Sequence, residues 1–222
     1  MNLENYHRIK SELPENVTLV AVSKTKPVED ILKLYDAGQR CFGENRALEL
    51  RDKHESLPKD IEWHFIGHMQ SNKIKYIAPF VSLIHSVDSF SLLKEINKHA
   101  GKVHRVIPCL LQFFIAEEES KFGFDIKECT QMLESEEYKT LTNIKIVGVM
   151  GMGTLTNDQS LTQREFHHLA EIFKVLKENY FEKQSDFKEI SMGMTDDYHI
   201  AIEEGSTLVR IGSAIFGSRA FK

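Results

Sequence analysis

The sequence predicts an α/β fold, a single (β/α)₈ TIM barrel, from three observations. Eight short apolar runs rich in strand-forming residues recur along the 222-residue chain. Segments with helical character lie between them. Several runs are nearly continuous rather than alternating, which is typical of strands buried on both faces of a parallel sheet. Eight strand–helix units in about 200 residues is the order of a barrel, although doubly wound sheets alternate in the same way.

Each predicted strand is a run of aliphatic, β-branched or aromatic residues. The eight runs span residues 18–24, 40–44, 63–67, 82–87, 105–115, 145–150, 188–192 and 207–211. The helical segments between and after them span residues 27–38, 45–57, 71–80, 89–101, 125–138, 161–181 and 196–205. The first segment shows clear end signals, with Pro27 in its first turn, acidic residues early and Gly38 at its end. The sixth segment is the longest and the most clearly periodic.

No Ser/Gly-rich linker or change of composition divides the chain, so residues 1–222 are predicted to form one domain with a short N-terminal helical segment at 1–16. A formal net charge of -5 argues against a nucleic-acid binder. No apolar run approaches the ~20 residues that span a bilayer, and the charged N-terminus is unlike a signal peptide. We therefore expect a cytoplasmic protein. Cys41, Cys109 and Cys129 form no CxxC pair, which predicts reduced thiols without a zinc or disulfide framework.

The first strand ends on a lysine, Lys24, in the stretch VTLVAVSKTKP. In a barrel of this class the chemistry sits at the carboxyl ends of the strands. By strand parity Lys24 shares a face with Val20 and Val22, either at the barrel mouth or outward beneath the helices. At the mouth, partial burial and a cationic neighbour would favour the neutral amine that condenses with an aldehyde. The alternative is a strand-end lysine whose stem packs while its charge reaches water.

The last two strands carry signals for a phosphate group. Strand eight breaks at Gly212-Ser213, and strand seven ends in SMGMTDD, where Ser191 and Thr195 supply hydroxyl groups. Loops after strands seven and eight bind phosphate in many barrels through backbone N–H groups. Each signal alone is weak. Together with Lys24 on the neighbouring strand one, they suggest a phosphorylated aldehyde as the ligand.

Seven motifs then identify a family. VAVSKTKP, FGENR, WHFIGHMQSNK, SKFGF, GVMGMG, SMGMTDD and VRIGSAIFG occur in the order and spacing of the pyridoxal-phosphate (PLP) homeostasis proteins, the YggS/PROSC family. The resemblance runs from about Val17 to Arg219. It implies a barrel similar to the N-terminal domain of alanine racemases, with PLP bound covalently to Lys24 as a Schiff base. It also implies cofactor-binding roles for Asn45, Ser191, Met192, Thr195, Arg210, Gly212 and Ser213.

Within this resemblance Arg210 corresponds to the arginine that faces the pyridine nitrogen of PLP. A guanidinium stays charged and cannot accept a proton, so it keeps that nitrogen unprotonated and weakens PLP as an electron sink. One departure is Phe113-Phe114 after Gln112, where the family usually has a hydrophobic residue and then Asn. A polar group near the cofactor is therefore expected to be missing.

Three functions remain open. The first is a PLP carrier or buffer with little or no turnover, a monomer that hands PLP to PLP-dependent apoenzymes. The second is a racemase-like PLP enzyme, which needs a second acid/base group. The racemase domain that supplies its tyrosine is expected to be absent, and Tyr35 and Tyr198 are the nearest replacements by sequence. The third is a Schiff-base aldolase that binds a sugar phosphate. His64 and His68 are spaced as metal ligands, but we expect His64 to be a hydrogen-bonded core residue. The acidic run at 117–119 is expected to be solvated.

Overall fold

The chain forms a closed barrel of parallel strands, as a computed structural model that describes residues 1–116 and 122–217 shows. The acidic run at 117–119, the start of the SKFGF motif and Arg219 lie outside the described residues. The described strands are β1 Thr18–Val22, β2 Cys41–Glu44, β3 Glu62–Phe65, β4 Leu83–Val87, β5 Ile107–Phe114, β6 Ile144–Met152, β7 Glu189–Ser191 and β8 Leu208–Ile211. They pair in chain order, and β1 pairs with β8 to close the barrel. The predicted (β/α)₈ barrel is confirmed.

Helices surround the strands. They are α1 Leu3–Glu12, α2 Val28–Asp36, α3 Ala47–Ser56, α4 Phe90–Lys102, α5 Ile126–Glu134, α6 Glu136–Lys139, α7 Gln159–Asn179, α8 Tyr198–Glu203 and α9 Ser213–Phe216. Several begin at side-chain caps, because an aspartate or serine oxygen accepts the amides left unpaired in the first turn. Asp125 forms a capping box with Glu128, and Asp158 caps the long α7. Among the described residues, no helix combines the length and the apolar character needed to cross a bilayer.

The segment after β3 differs from a regular α-helix. Residues Ser71–Tyr76 form a 3-10 helix, and Gln70 occupies the cap position without a side-chain cap bond. Pro79 lies at the end of the predicted segment and disfavours helical geometry at the residue before it. The short apolar segment therefore turns tightly instead of extending into an α-helix.

Strand parity divides the core into two layers. Val20, Cys41, Leu83, Leu110, Val147, Met150 and Leu208 form a cluster from six strands inside the barrel. The alternate positions, such as Leu19 and Ala21 on β1, belong to the larger cluster between the strands and the helices. Both layers are buried, which explains why the strands read as nearly continuous apolar runs.

Candidate functional site

A cavity of about 430 Å³ opens at the carboxyl end of the barrel. The ends of β1 and β8 lie side by side there, since Val20 pairs with Arg210 and Ala21 with Ile211 across the closing seam. Predicted site residues from strands one, two, seven and eight converge on the cavity wall: Lys24, Asn45, Thr195, Arg210, Gly212 and Ser213. Ser191 and Met192 are fully buried and lie outside the cavity lining.

Lys24 lies in a turn rather than in the strand. The predicted strand 18–24 ends at Val22, and the amide of Lys26 donates to the carbonyl of Ser23 at 3.0 Å. Val20 nevertheless packs inside the barrel and Val22 lines the cavity, as does Lys24. Lys24 therefore shares a face with Val20 and Val22, as parity predicted, and of the two positions left open the structure shows the one at the barrel mouth.

Arg210 forms the buried side of the cavity. Its Nη1 donates to Ser191 Oγ at 2.6 Å and its Nη2 donates to the carbonyl of Gly151 at 3.1 Å. Burial lowers the pKa of Arg210 to about 10, so the guanidinium still carries its charge at neutral pH. Two anchored donors fix the plane of the guanidinium at the base of the cavity.

Two histidines extend this contact through the barrel interior. His85 Nδ1 lies 2.8 Å from Ser191 Oγ, and His85 Nε2 lies 2.9 Å from His64 Nδ1. Burial lowers the pKa of His64 to about 4, and burial with the nearby charges of His64 and Arg210 lowers the pKa of His85 well below its ordinary value. Both imidazoles are therefore neutral at pH 7.

The arginine fixes one direction in this chain of hydrogen bonds. Because a guanidinium only donates, Ser191 Oγ accepts from Arg210. The contacts at the histidines fit two neutral tautomer sets: Ser191 Oγ donates to His85 Nδ1 while His85 Nε2–H donates to His64 Nδ1, or both directions are reversed. Each contact in the chain joins one donor to one acceptor. The expectation that His64 is a hydrogen-bonded core residue agrees with this geometry.

The other side of the cavity presents hydroxyl groups. Ser213 Oγ donates to Thr195 Oγ1 at 3.0 Å, which joins the loop after β7 to the start of α9. Gly212 lies close to β1, because a Cβ there would be 3.0 Å from the carbonyl oxygen of Val22. The first amides of α9 have no partner within the helix, as at any helix start. Hydroxyls and amides therefore lie together beside the cavity.

Gly67 and Asn45 form a close backbone contact in the wall. A Cβ on Gly67 would lie 2.3 Å from the carbonyl oxygen of Asn45, a distance no side chain permits. Glycine at position 67 thus lets the loops after β2 and β3 approach each other at the cavity. The sequence reasoning missed Gly67, although a glycine within a predicted strand, here the last residue of 63–67, is a signal of close backbone approach.

The cavity has apolar walls that the sequence reasoning also missed. Ile66, Met152 and Met194 line it, and Phe114 pairs in register with Met152 at the end of β5 and β6. Phe113 instead is buried in the outer core, where its ring lies 6.3 Å from that of Phe124. The Phe113-Phe114 pair, which departs from the family pattern, thus has the Phe113 ring in the outer core and Phe114 beside the rim of the cavity.

A wider groove of about 1040 Å³ adjoins the cavity and shares Lys26, Asn45 and His68 with it. Lys26 Nζ donates to the carbonyls of Phe216 and Gly217 at 3.2 and 3.0 Å, which ties the loop after β1 to the end of α9. The cavity and the groove therefore meet at Lys26, Asn45 and His68.

The three cysteines lie away from this chemistry. All are buried and free, and burial raises the pKa of each thiol, to about 12 for Cys129. A buried thiol with a raised pKa is a poor nucleophile because the thiolate is the reactive form.

Comparison with known proteins places this geometry in a family. Residues 3–220 match the alanine racemase N-terminal domain. The chain is 37% identical over 204 residues to the pyridoxal phosphate homeostasis protein of Aquifex aeolicus, covering 91% of this chain and 87% of that protein. It is 34% identical over 212 residues to the protein of that name from Escherichia coli K12, covering 94% of this chain and 88% of the relative.

Solved structures agree. PipY of Synechococcus elongatus PCC7942 matches with a TM-score of 0.89 without PLP and 0.86 with PLP bound, at 34% and 33% identity; each match covers 96% of this chain and 99% of PipY. The alanine racemase from E. faecalis matches at 14% identity with a TM-score of 0.74 and shares the fold alone. With its barrel, its seven motifs and these relatives, the chain belongs to the family of pyridoxal phosphate homeostasis proteins, within the alanine racemase N-terminal domain fold.

Proposed function

We propose that this protein binds PLP covalently through Lys24, as a Schiff base, and serves intracellular PLP homeostasis as a carrier or buffer with little or no turnover. The observation that carries the proposal is the convergence of Lys24, Arg210 and the Thr195–Ser213 hydroxyl pair on one cavity. The homeostasis relatives and the PLP-bound PipY structure support it.

The residues present fit the chemistry of PLP. PLP carries an aldehyde, an anionic phosphate and a pyridine ring, and a cavity of about 430 Å³ lies within the range of small-molecule sites. Lys24, Lys26 and Arg210 outnumber Asp196, the one carboxylate among the described lining residues, so the wall favours an anion. The apolar side chains of Ile66, Met152 and Met194 give a ring a surface to pack against.

Each group then has a distinct role. The amino group of Lys24 attacks the aldehyde carbon, and loss of one water leaves a C=N bond that holds the ligand. The hydroxyls of Thr195 and Ser213, with the amides at Gly212 and Ser213, bind the phosphate oxygens, and Asn45 lies beside the ring. Ser191 acts through its bond to Arg210. Met192 is buried in the outer core at the end of β7, where it supports the loop that carries Thr195.

Arg210 favours binding of PLP over catalytic turnover. Bound PLP supplies an electron sink for carbanion chemistry, and that sink is strongest when the pyridine nitrogen is protonated. A guanidinium donates to this nitrogen and accepts nothing from it. With Ser191 and Gly151 fixing its plane, Arg210 keeps the nitrogen unprotonated and the sink weak.

A racemase-like activity is the second candidate and has less support. It needs a second acid/base group facing the ring. None of the tyrosines in the described residues lines the cavity. The hydroxyl of Tyr198 donates to Glu12 at 2.7 Å, and that of Tyr35 donates to Asp60 at 2.8 Å. Both replacements considered from sequence are therefore engaged elsewhere.

The deciding experiment is an absorbance spectrum of the protein with PLP, then borohydride reduction and peptide mass mapping. We expect one adduct on Lys24, lost in Lys24→Ala and kept in the matched control Lys26→Ala, which removes the neighbouring cavity lysine. An adduct on Lys26, or none after adding PLP, overturns the proposal. A lysine imine formed only with a sugar phosphate would favour the aldolase.

Turnover and transfer need separate measurements. Sustained α-proton exchange of amino acids, beyond one event per protein, would overturn the carrier role and favour a racemase-like enzyme. We propose that the protein is a cytoplasmic monomer that supplies PLP to apoenzymes. The PLP-loaded protein should then activate a PLP-dependent apoenzyme at a higher rate than the rate of its spontaneous PLP release. Light scattering should give the mass of one chain.

A further inference from the structure

Three charged side chains lie behind the turn that carries Lys24, between the outer face of β1–β2 and α3. Lys53 of α3 has a side chain only 7% exposed, yet all three of its donors are used. Its Nζ donates to the carbonyl of Ser23 at 2.8 Å, to Glu44 Oε1 at 2.6 Å and to Glu49 Oε1 at 2.7 Å. The ammonium therefore joins the Lys24 turn to two carboxylates.

The two carboxylates hold the residues on either side of Lys24. Glu44 Oε1 accepts from Ser23 Oγ at 2.6 Å, and Glu49 Oε1 accepts from the backbone amide of Thr25 at 2.6 Å. Hydrogen bonds to ionised carboxylates are among the strongest in proteins. The backbone before and after Lys24 is thus fixed by separate contacts that meet at Lys53.

The turn itself is strained. Thr25 has a φ of 64°, in the left-handed region, and it occupies the third position of the turn closed between Ser23 and Lys26. Glycine or asparagine is favoured at such a position, whereas a β-branched residue there is an outlier. A conformation of this kind persists only where surrounding contacts hold it. The Glu49 carboxylate is such a contact, since it binds the Thr25 amide directly.

Stability alone gives little reason for this arrangement. Glu44 is fully buried and its Oε2 has no partner among the described residues. Burial raises the pKa of the Glu44 carboxyl, while Lys53 and Ser23 act against that rise. A buried ion pair with an unsatisfied oxygen is often no more stable than apolar residues of the same volume. A role in fixing geometry explains the burial better.

We propose that Glu44, Glu49 and Lys53 are positioning residues, which hold the strained turn so that Lys24 faces the cavity. The inference rests on the proposed function, in which Lys24 is the residue that captures PLP. The alternative is that this network only stabilises the packing of α3 against the strands and does not position Lys24.

The test compares Glu49→Ala and Lys53→Met with a control, Gln39→Ala, at a residue whose side chain also contacts β1 and β2. Gln39→Ala removes buried bonds to the carbonyls of Leu19 and Cys41, at the opposite end of β1 and β2. One readout is hydrogen exchange at the Thr25 amide of the PLP-free protein. The other is the rate at which added PLP becomes trapped on Lys24 by borohydride.

We expect Glu49→Ala and Lys53→Met to slow PLP capture roughly tenfold or more and to speed exchange at Thr25, as follows from losing a charge-assisted bond. Gln39→Ala should change neither. Thr25→Gly should restore much of the capture rate in the Glu49→Ala background, because glycine adopts a positive φ without strain. If the network only stabilises the fold, Thr25→Gly should not restore the capture rate.

The outcomes separate the two proposals. Normal capture and normal Thr25 exchange in folded Glu49→Ala and Lys53→Met overturn the positioning role while Lys24 remains the capture residue. Wild-type protein that captures no PLP on Lys24 refutes the proposed function, and Thr25 exchange then still reports whether the network holds the turn. Should Lys53→Met fail to fold, Glu44→Gln keeps the side-chain shape and carries the same test.

Discussion

The paired histidines inside the barrel make stability fall as the pH drops below 7. Replacing His64 by glutamine removes one of the two imidazoles, while leaving an amide able to occupy the same position beside His85. A histidine whose folded pKa is depressed binds fewer protons in the folded state than in the unfolded one. The unfolding free energy therefore decreases as the pH falls from the unfolded pKa toward the folded pKa.

The size of the effect follows from the pKa of His64. Its ordinary pKa is 6.5 and its folded pKa is about 4, so the window of loss lies between those values. Between pH 7 and pH 5 the unfolded imidazole becomes almost fully protonated, whereas the folded one takes up about a tenth of a proton. His64 alone then lowers the unfolding free energy by roughly 2 kcal/mol. His85, whose pKa is also depressed, acts in the same direction.

Urea unfolding at pH 7 and pH 5 measures this loss. Trp63, the one tryptophan, is fully buried and reports unfolding by fluorescence. Glu44, with its raised pKa, acts in the opposite direction in wild type and variant alike, so the comparison cancels it. His64→Gln should lose roughly 2 kcal/mol less than wild type over this range. His199→Gln, at a side chain 64% exposed, is the control and should behave as wild type. Equal losses in wild type and His64→Gln would refute the reasoning.

Three further predictions address the site and the thiols. Gly67→Ala should cost about 1–3 kcal/mol of stability, measured by urea unfolding, and weaken PLP binding, because the new Cβ meets the carbonyl of Asn45; unchanged binding would contradict it. Arg210→Lys should weaken PLP binding about tenfold, measured by titration, because an ammonium cannot bind Ser191 and Gly151 in one plane as the guanidinium does. Equal affinity would contradict the role of the two guanidinium hydrogen bonds. A thiol reagent should label no cysteine in the native protein and all three in urea, and fast native labelling would contradict their burial.

The strands and part of the cavity wall could be predicted because they depend on local pattern. A buried parallel strand shows its apolar run directly, and the barrel rule places every strand end at one face. Lys24 was therefore singled out from its position at a strand end, whereas the role of Arg210 was implied by the family resemblance. The predicted end of β1 lies two residues too late, because the sequence of residues 23–25 gives no signal that Thr25 adopts a positive φ.

The polar contacts could not be predicted because they depend on register and distance along the chain. His85 and Ser191 are 106 residues apart, and their contact follows only from which positions of β4 and β7 face inward. Lys53 reaches Glu44 from a helix nine residues further on, across the outer face of β2. One signal was available: Glu44 is a charged residue within a short buried strand, which demands a partner.

The two buried polar systems meet the same cavity from opposite sides. Inside the barrel, the chain from His64 ends at Arg210; outside it, the Glu44–Lys53 network ends at the Lys24 turn. Burying charges and imidazoles opposes folding, and a barrel interior is otherwise filled with aliphatic side chains. Departures from that rule are expected where a site needs fixed geometry rather than stability. Here both departures lead to Lys24 and Arg210, at the end of the barrel where the cavity opens.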